Sequence, residues 1–142
     1  IRFSDVLLMM AEAQGNTATS LGFINQVRAR VGLAAYTAAD ITTIAQFETA
    51  LANERKFELA FENQRWFDLL RYNTTLTTIK VEQVMKDHLT YMYPLHYGLY
   101  PSPRLTLAGM LVFVNTNRML LPIPQREIDN NTTIVIKQNP GY

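Results

Sequence analysis

The sequence predicts an all-α protein, and three observations carry that expectation. The segment Glu54–Tyr72 packs charge and bulky apolar side chains into one run with no Gly or Pro. Ahead of it, two shorter runs repeat apolar residues at helical spacing, separated by the breaker Gly15-Asn16-Thr17. The central run itself opens on Thr43-Ile44-Ala45-Gln46, a sequence with the form of a capping box.

From Phe3 to Ala13, the residues Phe3, Val6, Leu7, Met10 and Ala13 recur on one helical face, which Leu8 and Met9 widen. A second helix is expected from about Ala18 to Val31, with Leu21, Ile24, Val27 and Val31 on one side and Gly32 as its stop. The short link makes the two antiparallel neighbours, a hairpin the size of one helix-pair repeat unit. A Thr/Ala-rich loop, Ala34 to Thr42, leads on to the central helix.

Residues 47 to 69, taken as one helix at 100° per residue, place Phe47, Leu51, Glu54, Glu58, Phe61, Arg65 and Leu69 on a single stripe. A bend is expected near Asn63, a weak helix former that tolerates left-handed backbone. A helix apolar nearly all round belongs at the centre of a fold. Carboxylates on its inward stripe then need partners. Structural ion pairs are therefore expected among Glu54, Arg55, Glu58, Glu62, Arg65, Asp68 and Arg71, with Arg28 of the hairpin as a further partner. Arg28 and Arg30 sit near a helix C-terminus, where the dipole favours positive charge.

The second half is less regular. Thr77 to His88 reads as a helix with Ile79, Val84 and Met85 inward. Leu89 to Arg104 holds Pro94, Gly98, Pro101 and Pro103 among four tyrosines and reads as a loop. Leu107 to Val114 is an apolar run compatible with a strand or a buried helix. Leu120 to Pro124 should be extended by its prolines, Gln125 to Ile128 one helical turn, and Gln138 to Tyr142 a turn.

Composition narrows the function classes. The 142 residues fit one domain, 48% hydrophobic residues fill a core, and 18% charged residues exclude a disordered polyelectrolyte. Net charge is +1 with Lys and Arg scattered, which argues against nucleic acid. With no Cys there is no disulfide, thiolate zinc site or Cys nucleophile. No window has the apolar length of a membrane span, and Ile1-Arg2-Phe3-Ser4-Asp5 lacks the pattern of a secretory signal.

Glu54, Glu58 and Glu62, one turn apart, have the look of an acid/base set for glycoside cleavage. Such carboxylates face an open cleft, whereas these share a stripe with Phe47 and Phe61, so ion pairing is favoured and no catalytic residue is assigned. Trp66 is read as core packing rather than a sugar platform. His88 and His96 have no acidic partner at ligand spacing, so no metal or other cofactor is expected. Tyr91, Tyr93, Tyr97 and Tyr100 form the place where ligand recognition is expected, since aromatic faces stack on sugars and hydroxyls bond their edges. The alternative is that they hold down a long proline-rich loop.

Together these motifs resemble the C-terminal region of the SusD/RagB family of nutrient-uptake lipoproteins. Arg2-Phe3-Ser4-Asp5-Val6-Leu7-Leu8-Met9-Met10-Ala11-Glu12-Ala13 is similar to the family's R-[YF]-x-D-V-L-L-x-x-A-E-A opening. Ile24-Asn25-Gln26-Val27-Arg28-Ala29-Arg30-Val31-Gly32-Leu33 is similar to its I-N-x-V-R-x-R-A-G-L. Glu54-Arg55 through Arg71 resembles E-R-x-x-E-L-x-F-E-G-x-R-x-x-D-L-x-R, with Asn63 at the usual Gly and Val31 at a frequent Ala. Leu121-Pro122-Ile123-Pro124 with Glu127-Ile128, and Gln138-Asn139-Pro140-Gly141-Tyr142, resemble the family's tail.

The resemblance implies TPR-like helical hairpins with long irregular loops. It implies a non-catalytic subunit that captures glycans, or in some members peptides, for a SusC-like TonB-dependent transporter. It also implies a place on the extracellular face of the outer membrane, through an N-terminal lipid anchor not present in this chain. Residues 1–142 are then expected to be the C-terminal domain of a larger protein. A protein-binding helical-repeat scaffold and a hydrolase are the competing classes.

Overall fold

A computed structural model describes residues 2–99 and 105–142. Among them there are α-helices and short helical turns, and no strand. The helices are α1 (Phe3–Gln14), α2 (Ala18–Arg30), α3 (Ile44–Glu58), α4 (Arg65–Thr75), α5 (Val81–Met92), α6 (Leu107–Val112) and α7 (Gln125–Asn130). The all-α expectation holds. The chain divides into two compact units, Ile1–Val81 and Glu82–Tyr142. No helix of the described residues is long and apolar enough to cross a membrane.

In the first unit, α1 and α2 pack on each other and both pack on α3. Leu7, Leu8, Ala11, Ile24, Val27, Phe47, Leu51, Leu69 and Tyr72 are buried. Local chemistry explains the helix ends. Gly15 leaves α1 at φ 67°. Thr17 caps α2 by accepting the Ser20 N–H at 3.1 Å. Gly32, at φ 74°, donates to Ala29 O at 3.1 Å while Leu33 donates to Arg28 O at 3.0 Å. That pair of bonds is a Schellman cap. The capping box of α3 is present: Thr43 Oγ1 accepts the Gln46 N–H at 3.2 Å, and Gln46 Oε1 accepts the Thr43 N–H at 3.0 Å.

The single helix expected over residues 47 to 69 is instead two helices. α3 ends at Glu58, and the chain turns through Leu59–Gln64 with Phe61 at φ 66° and Asn63 at φ 57°. Two left-handed residues cannot continue a right-handed ladder. The stripe is therefore broken: Leu51, Glu54 and Leu69 are buried, while Phe61 is fully exposed. Phe57 and Phe67 are mostly exposed, and Trp66, expected in the core, is 38% exposed at the first turn of α4. The departure expected near Asn63 is there, with Asn63 in the left-handed conformation, but as a full break rather than a bend in one helix.

The helix expected from Thr77 begins at Val81. The N–H groups of Thr77 and Thr78 donate to the Glu48 carboxylate, each at 2.7 Å, which holds them out of a helix. Asn73 Oδ1 accepts the Val81 N–H at 3.0 Å. Val81 is buried, whereas Ile79, Val84 and Met85 are half-buried.

In the second unit, the segment expected as a loop from Leu89 is helical at first. α5 runs to Met92, and a π-helical turn, Tyr93–Tyr97, continues it. Pro94 has no N–H to give to the turn before it, and the ladder widens past it to a Gly98 N–H to Tyr93 O bond at 2.7 Å. Residues 100–104 of the expected loop lie outside the described residues. Of the ambiguous apolar run, Leu107–Val112 form helix α6, which has no buried residue, while Val114 just beyond it is buried. Leu120–Pro124 is extended, and α7 follows. The tail is fixed by side-chain amides: Gln138 Oε1 accepts the Ile123 N–H at 2.7 Å, and its Nε2 donates to Ile123 O at 2.8 Å. Gly141, at φ 93°, lies where a Cβ would meet Asn117 Cβ at 2.9 Å, so only glycine fits the turn.

Candidate functional site

Two groups of sequence-expected residues have distinct settings. The first is a chain of ion pairs joining α1, α3 and α4. Arg55 grips Asp68 with two prongs, Nε to Oδ2 and Nη2 to Oδ1, both 2.9 Å. Its Nη1 reaches Asp5 Oδ1 at 2.9 Å. Arg71 Nη2 lies 3.0 Å from Asp68 Oδ1 and 2.8 Å from Glu12 Oε2, and its Nε donates to Glu12 Oε1 at 3.0 Å. Thr75 Oγ1 donates to Glu12 Oε1 at 2.7 Å.

Burial works against ionisation of Arg55, yet its two carboxylate partners hold its proton more firmly than usual. Hydrogen bonding to Glu12 likewise raises Arg71. Burial acts to raise the Glu12 carboxyl, but bonds from Arg71 and Thr75 leave it below the ordinary range. Tyr72 lies beside this chain, fully buried; burial and the Asp68 charge push its hydroxyl upward. That hydroxyl has no hydrogen-bond partner among the described residues.

The three glutamates of the central run go to arginines of the hairpin side. Glu54 pairs with Arg28. Glu58 takes Arg2 at 3.0 Å and Arg30 at 2.6 Å. Glu62 takes Arg2 at 2.7 Å. Arg65 donates to Ala52 O at 3.3 Å and makes no ion pair among the described residues. With every one of these carboxylates engaged by an arginine, the trio is a set of struts between helices. Asp5 and Glu12 were not singled out from the sequence. Their spacing of seven on one face of an otherwise apolar helix was the available signal.

The second group lies on α5 and the π-helical turn. Tyr91 is exposed and Tyr97 half-exposed. The Tyr93 and Tyr97 rings stack with centroids 6.5 Å apart and planes 26° apart. Tyr93 also donates its hydroxyl to Leu105 O at 3.2 Å. Tyr100 lies outside the described residues. His88 and His96 are exposed, and no group of His, Cys, Asp or Glu among the described residues is placed to hold a metal.

A family model described as "SusD family" matches residues 1–142. Comparison with curated proteins and with solved structures gave no match. The family's members are nutrient-binding proteins associated with the outer membrane, not enzymes. The match runs over both units, from the opening hairpin through the Gln138–Tyr142 tail, and the chain belongs to the SusD family.

Proposed function

We propose that this chain helps to capture a neutral glycan at the cell surface and hand it to a SusC-like TonB-dependent transporter. Residues 1–142 act in this reading as the C-terminal domain of a protein held on the extracellular face of the outer membrane by an N-terminal lipid anchor. The observation that carries it is the pair Tyr93 and Tyr97, whose rings stack on a short helical turn with Tyr97 half-exposed, next to the exposed Tyr91 on α5. Such a surface suits an uncharged sugar: the rings offer apolar faces, the hydroxyls offer polar tips, and neither metal nor charge is needed. The ion-paired helices of the first unit supply a rigid body consistent with a non-catalytic role.

Calorimetry on the intact protein with a panel of oligosaccharides and peptides tests it. Binding of a sugar without turnover, weakened in Tyr93→Ala and Tyr97→Ala by about 0.5–1.5 kcal/mol each, is the expected result. Unchanged affinity in both variants moves the contact away from this turn. Peptide binding alone replaces the glycan reading, and turnover of a glycan overturns the non-catalytic one.

A further inference from the structure

Glu48 on α3 is 4% exposed and differs from the other buried acids of the first unit. Glu54 and Asp68 are each paired with an arginine. Glu48 has no cation as a partner among the described residues; it is held by neutral donors alone. The N–H groups of Thr77 and Thr78 reach its two oxygens at 2.7 Å each, and the Thr78 hydroxyl adds a third bond. Bonds of this kind draw their strength from the negative charge that accepts them.

The donors belong to a segment with little else to fix it. Leu76 and Val81 are buried at its two ends, whereas Thr77, Thr78 and Lys80 between them are exposed and Ile79 is half-buried. The Thr77 and Thr78 N–H groups have no other acceptor among the described residues. At the far end, Lys80 donates to Asn73 O at 3.0 Å and to Leu76 O at 2.8 Å, and Asn73 Oδ1 accepts the Val81 N–H at 3.0 Å. With both ends anchored, the residues between can open without unpacking the helices, a local opening of low cost.

The charged groups on the elements around Glu48 are committed elsewhere. Lys80 bonds the two carbonyls just named. Glu12 of α1 and Arg71 of α4 hold each other, as do Asp5 of α1 and Arg55 of α3, and Arg28 of α2 holds Glu54.

We infer that Glu48 is a proton-sensitive latch: its carboxylate holds residues 77–80 against α3, and taking up a proton frees that segment while α1, α2 and α3 stay folded. Protonation removes the charge and turns one oxygen into an O–H donor facing groups that also donate. Burial acts to raise the Glu48 carboxyl, but the bonds from Thr78 and Thr77 leave it below the ordinary 4.5. The latch is therefore whole above about pH 4.5 and opens as pH falls through the lower folded-state value. The freed segment leads directly into α5.

Amide hydrogen exchange of the whole chain, taken from about pH 7 down to about pH 3 and expressed as protection factors, tests it. In wild type the Thr77 and Thr78 amides should lose at least about tenfold more protection than those of α2 over the acid step. In Glu48→Gln, which has no charge to titrate, the same two amides should already be less protected at neutral pH by about that factor and should show no acid step. Thr78→Val, at an exposed position, removes only the hydroxyl donor; with one fewer bond to the carboxylate, its acid step should move to higher pH, and it carries the test if Glu48→Gln does not fold. Protection of Thr77 and Thr78 that falls only in step with α2 overturns the latch, because the loss is then global unfolding. So does a folded Glu48→Gln with wild-type protection at these amides, or a Thr78→Val acid step at the wild-type pH.

Discussion

Arg55 and Asp68 face each other through two 2.9 Å hydrogen bonds, although thirteen positions separate them in the chain. In one continuous helix that separation would set them about 20 Å apart along the axis. The turn between α3 and α4 closes the distance, and both side chains end up 2% exposed. The pair is thus a consequence of the break in the central run and also the contact that holds the break in place.

Removing one member should be costly, because the other charge stays buried. Asp68→Ala leaves Arg55 with Asp5 alone and is expected to lower stability by about 3–5 kcal/mol. Replacing both by apolar residues, Arg55→Met with Asp68→Leu, should recover much of that loss. Urea unfolding of the three proteins measures it; equal midpoints for wild type and Asp68→Ala would mean the pair contributes nothing.

Acid stability follows from the buried glutamates. Burial acts to raise the carboxyl of Glu48, but bonds from Thr78 and Thr77 leave it below its ordinary 4.5, and Glu12 is lowered in the same way by Arg71 and Thr75. A depressed folded-state value means the contribution is whole above about pH 4.5 and is lost as pH falls through the lower folded-state value. Unfolding midpoints measured from neutral pH downward should hold to about that point and then drop. In Glu48→Gln the drop should be smaller, starting from a less stable protein at neutral pH.

The start of α3 depends on its capping box. Thr43→Ala removes the acceptor for the Gln46 N–H and should cost about 1 kcal/mol. Thr43→Ser keeps the oxygen and should stay close to wild type by thermal unfolding.

Phe61 combines an exposed side chain with φ 66°, a conformation that costs an L-residue about 1–2 kcal/mol. Glycine adopts it freely but loses about 0.5–1 kcal/mol more backbone entropy on folding. Phe61→Gly should therefore leave stability unchanged or raise it by up to about 1.5 kcal/mol. A clear drop in the unfolding midpoint would show that the exposed ring makes a stabilising contact.

By itself the sequence determined the local elements. Apolar spacing in residues 3–13 and 18–31 produced α1 and α2, Gly15 and Gly32 marked their ends, and Thr43 with Gln46 marked the start of α3. These are interactions between residues a few positions apart, so spacing and residue type suffice to read them. The family was legible too, because its motifs stand in order along the chain. Only the tertiary structure decided that the central run breaks outright near Asn63 rather than bending, and which arginine takes which carboxylate. A weak helix former such as Asn63 marks a bend without fixing a full break, and a charged side chain carries no label of its partner. Those choices are made by packing and by the cost of leaving a buried charge unpaired, and both depend on which distant segments meet.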